Sequence, residues 1–105
     1  MHMELEIKKR CADLLCAATA ETISEPEFWR TFKNLKLPTE DPLARIAYEA
    51  AIHFWGNFHE RNLLLIRTKP DQYQVQQGKD QLNVIAEGLE SGWSISELER
   101  RLADT

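Results

Sequence analysis

The feature that most restricts the fold is the stretch from Pro42 to Ile66, which is apolar on two sides at helical spacing. Leu43, Ile46, Ala47, Ala50, Ala51, Phe54, Phe58 and Leu65 recur at three- and four-residue steps, and Tyr48, Ile52 and Trp55 form a second stripe. Residues three and four apart share a helix face, so this pattern specifies a helix with neighbours on two flanks. Asp41-Pro42 gives it an N-cap followed by proline at the first helical position, and Glu40 adds negative charge near that end. The helix would be roughly 37 Å long at the standard rise, with Gly56-Asn57 as a point where it could bend. It is expected to be the spine of the fold.

The other segments are cut to match. Glu4 to Thr22 carries a helical period, with Glu4 and Glu6 placed to reach Lys8 and Arg10 one turn on. Ser24-Glu25-Pro26-Glu27 is a helix start, with a capping serine, a proline in the first turn and a glutamate three residues after the cap. The short helix it opens runs through Phe28, Trp29, Phe32 and Leu35 until Leu37-Pro38 stops it. Thr68-Lys69-Pro70-Asp71 reads as a turn in which Asp71 caps a fourth helix. That helix is polar at first and amphipathic through Leu82, Ile85, Ala86 and Leu89. Gly78 and Gly88 each weaken it by about 1 kcal/mol relative to alanine. Gly92 marks its end, and Ser94-Ile95-Ser96-Glu97 is a capping box for a last helix with Ile95, Leu98 and Leu102 inward. No segment alternates as a strand does. The fold expected is all-α: a compact bundle of about five helices around the long apolar helix, ending in a short helical hairpin. Residues 1–105 are expected to form one domain, with Met1-His2 a cloning remnant before a native start at Met3.

Composition narrows the class. Three Trp, four Phe and two Tyr in 105 residues supply the apolar area that a disordered chain lacks. No run of roughly 18 apolar residues occurs, so no membrane span is expected. Met1 to Arg10 has no apolar core of a secretory signal, so a cytoplasmic location is expected. Cys11 and Cys16 are five apart, about 140° around a helix, which prevents a local disulfide; two buried reduced thiols are expected. The net charge of −4 is spread in alternating blocks. None is dense enough in bases to follow a phosphate backbone, which disfavours nucleic acid.

The chemistry-bearing residues are few. Arg45, Glu49, His53 and Asn57 are spaced four apart on the long helix, forming one polar ridge with Glu60 near its lower end. Such a ridge can be a solvated ladder, a partner-binding face flanked by Tyr48 or Trp55, or a site in which Glu49 orients His53. His53 and His59 lie about 240° apart and cannot share an ion from a straight helix, and no paired-cysteine or His-Glu-x-x-His spacing occurs. No metal and no cofactor are expected. Nucleophile-elbow, phosphate-loop and dinucleotide fingerprints are absent, so no catalytic residues are expected.

Residues 82–103 resemble a helix-turn-helix in outline, but the second helix would meet DNA with Ser96, Glu97 and Glu99, which phosphate repels. Phe28 and Trp29 cannot both face inward. A tryptophan exposed among Arg30, Lys33 and Lys36 would suit an acidic partner.

Together these features favour a small acidic protein-binding protein without catalysis, an inhibitor of immunity or antitoxin type that neutralises a basic partner. Arg45, Glu49, His53, Asn57, Glu60, Trp29, Glu87, Glu90, Glu97 and Glu99 are its candidate contacts. Two alternatives stand beside it: a small helical enzyme or ligand-binding protein using Glu49 and His53, and a DNA-binding regulator through residues 82–103. A homodimer is compatible with all three.

Overall fold

A computed structural model describes residues 5–63 and 72–105, with side chains described over 5–56 and 75–105. Five helices fill these ranges: α1 (Leu5–Thr19), α2 (Glu25–Asn34), α3 (Pro42–Leu63), α4 (Gln72–Ser91) and α5 (Ile95–Ala103). No strand occurs among the described residues. The all-α bundle expected from periodicity is the fold observed. Three helices start where a short polar side chain replaces a missing helical bond. Ser24 Oγ accepts from the Glu27 N–H at 3.4 Å, Asp41 Oδ1 from Leu43 at 2.8 Å, and Ser94 Oγ from Glu97 at 3.2 Å. Each such cap contributes about 1 kcal/mol. Pro26 and Pro42 sit in first turns, where the lost N–H has no helical acceptor to serve. The expected cap Asp71 lies outside the described residues.

The helix ends are less plain in the sequence. α1 stops at Thr19 rather than continuing to Thr22. Glu21 takes a left-handed backbone, φ 58°, and the Thr22 and Glu21 N–H groups turn back to the carbonyls of Ala17 and Ala18 at 3.0 and 3.1 Å. This is a Schellman closure built on glutamate where glycine is usual. α4 ends the same way on Gly92, φ 72°, with the Trp93 N–H bonded to the Gly88 carbonyl at 3.0 Å. There the glycine announced it.

Packing assigns the central place to α4. Leu82, Ile85, Ala86 and Leu89 are buried along it, and it packs against α1, α3 and α5. α1 gives Cys11, Ala12, Leu15 and Ala18 to the same core, and α3 gives Ala47, Ala51 and Phe54; all are buried. α2 is held to α3 by rings: Phe28 lies 5.6 Å from Trp55, and Trp29 and Phe32 lie 5.8 and 6.0 Å from Tyr48. The second apolar stripe of α3 is therefore only partly used. Trp55 is buried, but Tyr48 is 48% exposed and Ile52 44%. The expectation that α3 has close neighbours on both flanks is refined accordingly. α3 is unbroken through Gly56, residues 64–66 lie outside the described range, and so do the side chains of Phe58 and Leu65.

Two local expectations change. Gly88 is a packing requirement: a Cβ there would stand 2.8 Å from Trp93 Cε3 and 3.1 Å from Leu98 Cδ1. Trp93 thus folds back onto the α4–α5 hairpin over a residue that has no side chain. The cysteines also differ from each other. Cys11 is fully buried, which pushes its thiol up to about 12, whereas Cys16 is exposed, because a step of about 140° carries it off the core face.

Candidate functional site

The polar ridge of α3 does not act as one line. Each four-residue step advances about 40°, so the ridge winds from one flank of the helix to the other. Arg45 borders an apolar groove of about 310 Å³ between α2 and α3, lined by Phe32, Leu37, Pro38, Ala44 and Tyr48. Glu49 and His53 stand about 40° and 80° further round, toward α4 and α5. There they border a groove of about 450 Å³ with Gln81 of α4 and Glu99 of α5. The side chains of Asn57 and Glu60 lie outside the described residues.

The α3–α5 groove brings together residues distant in sequence. Its floor is Ile46, Ala50, Ile85 and Leu102, and its rim is Glu49, His53, Gln81 and Glu99. Glu49, His53 and Glu99 are exposed, and none of the three joins an ion pair among the described residues. Two carboxylates over an apolar floor suit a cationic group on an aliphatic stem, the form of a lysine or arginine side chain. Among the described residues no three His, Cys, Asp or Glu side chains converge as a metal site.

The remaining acids divide among other tasks. Glu97 is held within α5, receiving Arg100 at 2.6 and 3.1 Å and Arg101 at 3.0 Å. Those hydrogen bonds, above all from Arg100, lower its carboxyl to about 2. Arg101 also lies 4.7 Å above the Trp93 ring, so one end of α5 is tied by charge to the hairpin turn. Glu87 and Glu90 are exposed on the flank of α4 nearer α1. On that flank the Thr19 hydroxyl reaches Asn83 Oδ1 at 3.0 Å. The Cys16 thiol is raised there, first by partial burial and then by Glu90 and Asp13. The acids named from sequence thus do not make one face: Glu49 and Glu99 converge, Glu87 and Glu90 lie elsewhere, and Glu97 is already paired.

Trp29 is also differently placed from the exposed ring among bases. It is half-buried, its Nε1–H donates to Glu25 Oε2 at 3.1 Å, and its ring packs against Phe28, Phe32 and Tyr48. Phe28 is the fully buried member of the pair. The sequence contained no sign that Glu99 would border the same groove as Glu49, since that depends on how α5 docks. The exposure of Tyr48 and Ile52 was missed because apolar periodicity reads as burial.

Comparisons with known proteins return no match: no family model, no curated protein and no solved structure. Among the described residues, no helix is long and apolar enough to cross a membrane.

Proposed function

We propose that the chain is a protein-binding protein without chemistry of its own, an inhibitor of immunity or antitoxin type that takes a basic segment of its partner into the α3–α5 groove. One observation carries this reading: Glu49 of α3 and Glu99 of α5 flank a single open groove with an apolar floor, and neither joins an ion pair among the described residues. A partner lysine or arginine would lay its methylenes on Ile46, Ala50 and Leu102 and bring its charge between the carboxylates. The net charge of −4 would speed the approach of a basic partner. The test is capture from the source cell by the wild-type chain and by a Glu49→Lys/Glu99→Lys variant, read by mass spectrometry. A basic protein held stoichiometrically by the first and released by the second supports the reading. Equal retention by both removes the groove from it.

A second reading has its own observation, because His53 and Glu49 border the same groove, as a small enzyme or ligand-binding protein would need. It predicts that a bound small molecule moves the His53 ring resonances seen by NMR. A screen in which no ligand moves that resonance counts against it.

A further inference from the structure

We propose that the outward side of α3 pairs with the same side of a second copy of this chain, the two helices running antiparallel about a two-fold axis. The strip concerned is Arg45, Tyr48, Glu49 and Ile52, residues three and four apart and all exposed. Leu5, Tyr48 and Ile52 are the large hydrophobics left open among the described residues, and two of these three stand side by side on this strip. The apolar α2–α3 groove lies directly beside it, bordered by Arg45 and Tyr48.

The occupant is indicated by the order of charge along the strip. Arg45 and Glu49 have opposite signs one turn apart, and no ion pair joins them among the described residues. A parallel, in-register second copy would set Arg45 on Arg45 and Glu49 on Glu49. Reversal sets Arg45 against Glu49 of the second copy, and the two-fold repeats that contact. When Arg45 is level with Ile52 of the second copy, Glu49 of that copy is about 4.5 Å away along the axis, within the reach of an arginine. The same register carries Ile52 of the second copy over the groove beside Tyr48. One strip thus supplies the projecting side chain, the groove that takes it, and both members of the charge pair. A contact built on one helix pair falls below about 1,200 Å² and belongs to the weak, reversible class.

This inference shares Glu49 with the α3–α5 groove, and Arg45→Glu separates the two because it leaves Glu49, His53 and Glu99 in place. The experiment is analytical ultracentrifugation of the full chain from about 10 µM to about 1 mM, with circular dichroism to establish that each variant is helical. Wild type is expected to show a reversible monomer–dimer equilibrium. Arg45→Glu and Glu49→Arg, each setting like charges face to face, should weaken it by about tenfold or more. The double variant R45E/E49R restores opposite signs and should recover most of the association. A wild type monomeric throughout, single variants that dimerise normally, or a double variant no better than the singles would each overturn the proposal. Loss of the dimer in Arg45→Glu with basic-partner capture retained separates this inference from the proposed function.

Discussion

α3 and α4 are nearly equal in length, 22 and 20 residues, yet among the described residues of the two it is the more apolar α3 that leaves large apolar side chains, Tyr48 and Ile52, exposed. α4 opens with Gln72, Gln74, Gln76 and Gln77, and still its later turns are enclosed by α1, α3 and α5. α3 buries Ala47, Ala51 and Phe54 against α4, gives Trp55 to the α2 aromatics, and leaves Arg45, Tyr48, Glu49, Ile52 and His53 outside. Among the described residues of α3, Tyr48 and Ile52 are apolar surface that this fold leaves open. Burial of Tyr48 and Ile52 in an interface would account for this, since exposed apolar side chains that cluster mark contact surfaces. α4 holds the bundle together, and the outer side of α3 is where the proposed contacts lie.

The sharpest way to break this contrast is to truncate a residue on each helix. Leu82→Ala on α4 should cost about 3 kcal/mol in urea denaturation, as a fully buried leucine with little room for collapse. Ile52→Ala on α3 should change stability by less than about 0.5 kcal/mol. Comparable losses at the two positions would erase the distinction.

The hairpin at the end of α4 allows a finer test. Gly88→Ala gains helix propensity of about 1 kcal/mol, but its Cβ meets the Trp93 ring at 2.8 Å. Forcing a well-packed ring aside costs about 1–3 kcal/mol, so the net change in thermal stability should be unfavourable. In a Trp93→Ala background the same substitution should be neutral or stabilising, and a cycle of the four proteins measures the coupling. Additive effects would mean that Gly88 is merely a weak helix residue.

A smaller effect is expected at the caps. Ser94→Ala removes the acceptor for the Glu97 N–H and should cost about 1 kcal/mol in chemical denaturation. The same substitution at Ser24 should cost no more, since its bond is longer, 3.4 Å.

The smallest expected effect is a pH dependence. Glu97 has its carboxyl lowered from 4.5 to about 2 by Arg100 and Arg101. A depressed folded-state value gives stability that is present above pH 4.5 and lost as the pH falls toward about 2. Melting curves of wild type and Glu97→Gln should therefore differ slightly near neutrality and converge through that acid range. The exposure of the pair keeps the difference small. A gap that persists at low pH would assign it to something other than charge.

Much of this was legible in the chain. Ser24, Asp41, Ser94 and Gly92 declare their positions by local chemistry, a short acceptor beside free N–H groups or a backbone that turns left-handed. Glu21 performs the same turn with no residue-type signal, so the end of α1 was misplaced by three residues, Thr22 against Thr19. The order of burial was harder. Periodicity tells which side of a helix is apolar, not whether another helix arrives to cover it; the α2 rings reach Tyr48 from one side and leave it 48% exposed, and Ile52 is 44% exposed. The site was half legible. Glu49 and His53 stood out as polar residues on an apolar helix. Their separation from Arg45 follows from the 40° drift of a four-residue spacing. The convergence with Glu99, and the withdrawal of Glu97 into its arginine pairs, come from tertiary docking and from local competition for charge.

The most direct test of the division between α3 and α4 is an NMR map of the labelled chain with its captured partner. Amide shifts are expected to concentrate at Glu49, His53 and residues 95–103, with the α1–α4 interface undisturbed. Shifts confined to Asp13, Glu87 and Glu90, with the α3–α5 groove silent, would contradict it and move the binding surface to the other flank of α4.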